Sequence, residues 1–307
     1  MPLVFDLDEI DKGIILMLLG NCRTSYQTLA RRLNMTSNAV KKRVKKLMDT
    51  GIIQGFTVEL GLAMIGGENF VALIYTDGSE KPDEFLQGMG SNPLPRDVGA
   101  LSGAMYIAIG SSEGPQSIAD LGSFLRKFKN VKNVELHTLA DYPGKRVEFT
   151  GMQFRVLRCL VEDPRMSLQD ISKRTGLTAR RTSAVLRELI QSEALTLTIR
   201  WNLNIGDSFA FLSKITWDDK ATTIDQITNW LSETFPVEYW APMISANEPV
   251  IFGIFVVRTF RDADRISNAI AESPLVKAAV TLFGKPPVLF PGIRRIRLEQ
   301  MLKEAGV

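Results

Sequence analysis

The sequence is poor in the residues that carry most enzyme chemistry. Its 307 residues include a single histidine, His137, and two cysteines, Cys22 and Cys159. Two cysteines so far apart form no CxxC zinc site and give no disulfide framework, which points to a reduced, intracellular compartment. With no partner histidine, cysteine cluster or glycine-rich phosphate loop, hydrolytic, metal-dependent and nucleotide-dependent reactions have no visible apparatus, so no metal and no cofactor are expected. The longest apolar runs, "IILMLL" at 14–19 and "VIFGIFVV" at 250–257, are too short to span a bilayer. The opening "MPLVFDLDEIDKG" has acidic residues where a signal peptide would be basic. A cytoplasmic protein with no membrane partner and no enzymatic activity is expected. A net charge of +3 identifies no nucleic-acid binder, so that case must come from where the charges cluster.

What the sequence does contain is a copy of itself. "TSYQTLARRLNMTSNAVKKRVKKLMDTGII" from Thr24 lies over "MSLQDISKRTGLTARRTSAVLRELIQSEAL" from Met166 without a gap. Ser25 falls on Ser167, Arg32 on Arg174, Thr36 on Thr178, Leu47 on Leu189 and Ile53 on Leu195. Upstream, Ile14, Ile15 and Leu18 fall on Val156, Leu157 and Leu160. A period of this size marks a duplicated structural unit.

Each copy reads as three helices and a hairpin. Ile10, Ile14 and Leu18 give the first helix one apolar face, with Asp8 as its N-cap. Ser25 caps a short second helix that buries Leu29, Ala30 and Leu33. "NMTS" makes the turn, Thr36 caps the third helix, and Val40, Val44, Leu47 and Met48 form its inner stripe. Gly51 stops that helix, and "IIQGFTVEL" alternates as a strand does. This is a winged helix-turn-helix. Its third helix turns Asn38, Lys42, Lys45, Lys46 and Asp49 outward, with Lys41 and Arg43 on the flanks.

A lysine-rich outer face can simply keep a helix soluble. Third in a three-helix array, the same face is the one that enters a major groove, where lysines meet phosphates and Ser37 and Asn38 reach base edges. The expected DNA contacts are therefore Ser37, Asn38, Lys41, Lys42 and Lys45. In the second copy Lys41, Lys42 and Lys46 become Ser183, Ala184 and Glu188, leaving Arg180, Arg181 and Arg187 as candidates. That copy reads either as a second DNA reader or as a structural or protein-binding domain that kept the fold.

After each helix-turn-helix the pattern runs strand, helix, strand, strand, helix, strand. The first series is "ENFVALIYTDG", "PDEFLQGMG", "RDVGALSGAMYIAIGSS" as two strands turning at Ser102 and Gly103, "GPQSIADLGSFLRKF" and "VKNVELHTL". The second runs from "SFAFLSKITW" to "VKAAVTLFG". This is the ferredoxin-like arrangement, whose sheet has one face under helices and one that needs cover from another such domain. The fold class is α+β, with boundaries expected at 1–60 and 61–145 for the first pair of domains and 146–203 and 204–284 for the second. Residues 285–307 form a proline-marked linker and a basic helix whose Ile293, Ile296 and Leu298 need cover, which favours docking on a neighbouring chain over added phosphate contacts.

The opening "LDEIDK", the block beginning "TSYQTLARRLNMTSNAVKKRVKKLMDTGII" and the order of elements behind it resemble the leucine-responsive, or Lrp/AsnC, family of transcriptional regulators. The resemblance covers nearly all of the first half and reaches the second through the repeat. It implies a sequence-specific regulator of double-stranded DNA in which two fused units act as a covalent pseudo-dimer on neighbouring half-sites. It also implies homo-oligomers and a small-metabolite effector near the turn between the middle strands. There the family has a glycine followed three positions later by an acid; Gly103 carries over, and Tyr106 stands in the acid's place. Two alternatives remain open: a nucleoid-organising protein of low sequence preference, and a tetrapyrrole decarboxylase of the siroheme type on the same scaffold. The resemblance implies that such decarboxylases depend on histidines in the ferredoxin-like domain and lose the basic helix. His137, in "VELHTL", reads as a surface or partly buried strand residue, and Trp230 and Trp240 as packing.

Overall fold

The computed structural model describes residues 7–204 and 208–307. The first six residues, part of the expected first domain and of the opening segment discussed above, lie outside that description, as do residues 205–207 of the second ferredoxin-like domain. The first copy comprises α1 (Glu9–Gly20), α2 (Tyr26–Arg32), α3 (Ser37–Asp49), β1 (Ile53–Leu60) and the short α4 (Leu62–Ile65). It continues with β2 (Asn69–Thr76), α5 (Pro82–Gly90), β3 (Pro95–Leu101), β4 (Met105–Ser111), α6 (Pro115–Arg126) and β5 (Val131–Thr138). The second comprises α7 (Gly151–Glu162), α8 (Leu168–Thr175), α9 (Ala179–Gln191), β6 (Leu195–Trp201) and β7 (Phe209–Trp217). After these come α10 (Ile224–Thr234), β8 (Tyr239–Ile244), β9 (Val250–Val257), α11 (Phe260–Ala271) and β10 (Val276–Phe283). β11 (Val288–Leu289) and α12 (Gly292–Glu304) complete the described chain.

These elements gather by type, not by position in the sequence. One compact unit holds the residues up to Lys12, Glu68–Asp141 and Leu203–Phe290, which include both ferredoxin-like sheets. The other holds Gly13–Gly67, Tyr142–Asn202 and Pro291–Val307, with both helix-turn-helix copies and α12.

In the helical unit the helix starts are dictated locally. The Thr36 hydroxyl accepts from Ala39 N at 3.2 Å and that of Ser25 from Thr28 N at 3.0 Å. In the second copy Ser167 and Thr178 do the same for Asp170 N and Arg181 N. Each satisfies an amide that a helix start otherwise leaves unpaired. Asp8 accepts from Asp11 N at 2.8 Å, as Thr150 does from Gln153 N at 3.3 Å. Asn34 and Gly176 occupy matching places in the two turns, both with left-handed backbones. Val40, Val44 and Leu47 are buried as expected, whereas Met48 is 42% exposed and does not belong to the inner stripe. One residue past Leu47 the helix has already rotated 100° away from the core.

The expected hairpin in each copy does not form. Each copy contributes a single strand, and β1 and β6 pair antiparallel with each other, with Phe56 opposite Ile199 and Val58 opposite Leu197. β1 runs on through Gly61 into α4, so no turn returns it on itself and its ladder is satisfied by the other copy. α12 covers β1 within the same chain, burying Ile293, Leu298 and Leu302 and leaving Ile296 at the surface. Arg294 anchors it, with Nη1 2.8 Å from the Glu59 carboxylate and Nε donating to the Leu60 carbonyl at 2.5 Å. The expected docking on a neighbouring chain is thus replaced by docking on the chain's own first strand.

In the sheet unit the strand orders are β11-β3-β4-β2-β5 and β10-β7-β9-β8, antiparallel between neighbours. Without β11 both follow the ferredoxin-like order. The residues expected to be a plain linker add β11 to the edge of the first sheet, with Val288 opposite Val98. Gly90 leaves room for the Phe290 ring beside this segment: a Cβ there would lie 1.9 Å from that ring and force it to turn aside. Helices α10 and α11 bury Ile227, Leu231, Ala263, Ile266 and Ile270 against one face of the second sheet. The other faces of the two sheets share one apolar cluster, with Val71, Leu73 and Ile107 from the first and Val250, Phe252 and Leu282 from the second.

Candidate nucleic-acid interface

The helix α3 separates its two roles by angle. Val40, Val44 and Leu47 are buried, and Ser37, Asn38, Lys41, Lys42, Lys45 and Lys46 are all exposed. The Thr36 cap fixes where the helix begins, and so sets Ser37 and Asn38 in its first turn, where free amides and the helix dipole favour an anion. Lys45 pairs with Asp49 at 2.6 Å, but both groups are well exposed, so the pair contributes little and opens readily for a phosphate. Arg31 and Arg32, exposed in the last turn of α2, are further basic side chains of the helix-turn-helix beyond those singled out from the sequence. The "RR" pair was the available signal.

On α9 the basic surface is smaller. Arg180, Arg181 and Arg187 are exposed, and Ser183 and Ala184 are half-buried. Glu188 takes up part of this charge, with an oxygen 3.9 Å from Arg181 Nη1 and another accepting from Gln153 Nε2 at 3.3 Å. The pairing of β1 with β6 ties both helix-turn-helix copies into one compact unit, so α3 and α9 belong to a common framework. Cys22 and Cys159 are free and buried in it, and burial pushes the Cys22 thiol up to about 11.

Gly103 lies elsewhere, in the β3–β4 turn of the sheet unit. Its φ of 78° is the left-handed conformation that the tight turn requires, and Ala104 follows at 56°. Tyr106, in the place of the acid, is buried, and its ring packs 4.6 Å from that of Phe85. Its hydroxyl donates to Glu80 at 2.9 Å, and burial together with that carboxylate raises it to about 12.

His137 is fully buried, more enclosed than the surface or partly buried strand position expected from the sequence. Its Nδ1 lies 3.1 Å from Ser245 Oγ and its Nε2 2.7 Å from Glu135 Oε1. Glu135 also takes the Lys214 ammonium and, at 3.0 Å, the Tyr75 hydroxyl. Burial pushes the Glu135 carboxyl up, but the hydrogen bonds from Lys214, His137 and Tyr75 outweigh it and hold it below its ordinary value. Glu135, His137 and Glu248 bring ligand atoms within 4.8 Å of one another, as a metal site would. The Lys214 ammonium already supplies positive charge there, which disfavours a divalent cation.

Comparison with known proteins fits this geometry. The winged helix-turn-helix DNA-binding family matches residues 7–54 and 150–195, the two helical copies. An uncharacterized HTH-type transcriptional regulator of Pyrococcus abyssi is 31% identical over 138 residues, which is 44% of this chain and 85% of that protein. The regulatory protein AsnC of Escherichia coli is 30% identical over 78 residues, 25% of this chain and 51% of that one. Against three other Pyrococcus regulators the chain spans only 41–43% of their length. Among solved structures, the siroheme decarboxylase NirDL has the same architecture over 97% of this chain and 98% of its own, with a TM-score of 0.58 and 13% identity. That is a likeness of fold. No helix among the described residues is long and apolar enough to cross a membrane. With its ordered pair of winged helix-turn-helix and ferredoxin-like domains written twice, the chain belongs to the Lrp/AsnC family of transcriptional regulators.

Proposed function

We propose that the chain is a sequence-specific regulator of double-stranded DNA, a fused pseudo-dimer whose two reading helices meet neighbouring major-groove half-sites. The observation that carries this reading is the division of α3, with its apolar stripe buried and Ser37, Asn38, Lys41, Lys42 and Lys45 all outward at the groove-facing position of the motif. Lysines there neutralise phosphates, and the short polar side chains of the first turn read base edges. Arg180, Arg181 and Arg187 serve α9 in the same way with fewer charges, so the operator is not fully two-fold symmetric. The reading assigns no effector to the Gly103 turn, whose glycine is accounted for by its backbone. Selection of bound sequences from a random duplex pool, with a salt titration of the winners, tests the proposal. An asymmetric motif bound at least about a thousandfold better than a scrambled duplex is expected. Salt-sensitive binding without a motif would replace it with a DNA-organising role.

A second reading rests on the likeness to NirDL, a siroheme decarboxylase, along almost the whole chain. Against it, the only histidine is enclosed and hydrogen-bonded on both ring nitrogens. Incubation with siroheme, followed by absorbance and mass spectrometry of the tetrapyrrole, separates the two. Loss of carboxyl mass would favour the enzyme.

A further inference from the structure

The two sheets of the sheet unit meet through faces that are matched in outline and opposite in chemistry. Their last strands align as "VKNVELHTL" on "VKAAVTLFG", so Glu135 and His137 correspond to Val280 and Leu282. Strand pairing extends the correspondence, since Glu135 lies opposite Leu73 and Val280 opposite Lys214. Two reciprocal bridges complete it, Leu139 with Ser245 and Leu101 with Gly284. Leu73 and Leu101 of the first half therefore hold the places of Lys214 and Ser245 in the second.

Across the interface these differences are complementary. On one side Glu135 and His137 meet Lys214 and Ser245 in a closed network. Ser245 Oγ donates onward to Asn247 at 2.9 Å and accepts from Glu248 N at 3.2 Å. On the other side Leu73 and Leu101 meet Leu282 in the apolar cluster, while Val280, at the place of Glu135, lies half-exposed outside it. A first half placed on another first half would set Glu135 and His137 against Leu73 and Leu101, twice. Two second halves would set Ser245 against Leu282 and leave Lys214 beside the half-exposed Val280, without its carboxylate. The first arrangement takes the Lys214 ammonium from Glu135, leaving it Tyr75 and His137, and the second leaves Lys214 with no carboxylate; in each, a charge loses its opposite-sign partner, which costs more than losing an apolar contact.

We propose that this polar–apolar exchange is a pairing code, by which the face of each ferredoxin-like half accepts the other half and rejects a second copy of itself. The proposal rests on the pseudo-dimer part of the functional reading and not on DNA binding. Its partner chemistry is specific: the first sheet takes a sheet presenting an ammonium at the place of Lys214 and a hydroxyl at that of Ser245. One-sided changes therefore strand a buried group, while matched changes on both sides do not.

The test is a mutant cycle in the full chain. The pairs Glu135→Val with His137→Leu, and Lys214→Leu with Ser245→Leu, each strip one side, and the fourfold variant makes both sides alike. Each one-sided pair is expected to lower the thermal midpoint by roughly 5–15 °C. The fourfold variant is expected to regain most of that loss, which keeps the test informative where a one-sided variant fails to fold. In sedimentation its mass should rise more steeply with concentration than the parent's, because its faces now fit their own copies. Additive losses would overturn the coupling, and restored stability with the parent's mass behaviour would overturn the code. Neither readout involves DNA, so failure here leaves the functional reading to its own experiment.

Discussion

The two copies agree where they face inward and disagree where they face out or face each other. Caps at Ser25 and Ser167, and at Thr36 and Thr178, are the same, and Leu47 and Leu189 are both fully buried. Outside that frame, four lysines of α3 face solvent while α9 has half-buried Ser183 and Ala184 with exposed Glu188, and Glu135 and His137 give way to Val280 and Leu282. The two copies share a scaffold whose surfaces are free to specialise. Close packing penalises change in a core, whereas exposed positions change at little cost.

The shared frame predicts equal damage from equal cuts. Leu47→Ala and Leu189→Ala should each destabilise the helical unit by about 2–5 kcal/mol, because both leave a cavity in a fully buried stripe. Chemical denaturation measures both, and a cost confined to one copy would break the comparison. The next largest effect is expected on DNA. Lys42→Ala with Lys45→Ala should weaken binding to all sequences by roughly tenfold at low salt and flatten the salt slope by about one unit per lost phosphate contact. Arg180→Ala with Arg187→Ala should do less, and an equal loss would show that the two helices share the load.

Acid should separate the two sides of the sheet interface. Glu135 is held below its ordinary value, so its contribution is intact above about pH 4.3 and is lost as pH falls through the lower folded value. The fourfold variant lacks that carboxylate and should lose this part of the acid dependence, as thermal melts across pH 2–6 would show. The smallest effect concerns Glu193, which has a φ of 57° at the place of Gly51. Its side chain pairs with Lys145 at 3.2 Å and accepts from the Tyr142 hydroxyl. Glu193→Gly relieves the backbone and removes those exposed contacts, so a change within about 1 kcal/mol is expected by denaturation.

Much of this was legible in local sequence. The capped turns, the stripe of α3 and the strand–helix order of both ferredoxin-like domains follow from spacings of two, three and four residues. The outward face of α3 was legible for the same reason. Met48 departs from the expected stripe because a stripe's edge depends on what packs beside it. His137 reads from the sequence as a surface or partly buried strand residue because its cover, Ser245 and Phe252, comes from the other half of the chain. Arg31 and Arg32 stand out less in the sequence because they are only two basic residues, beside the five packed into residues 41–46.

The elements, their duplication and the charge of the outer face of α3 follow from the sequence alone, since periodicity and caps act within a few residues. Only the tertiary structure decided that β1 pairs with β6, that α12 seals β1, and that Glu135 finds Lys214. Any exposed strand edge or apolar face can be satisfied by many partners, and nothing within a few residues says which. The choice is made by the summed burial and charge matching of whole surfaces brought together from distant parts of the chain.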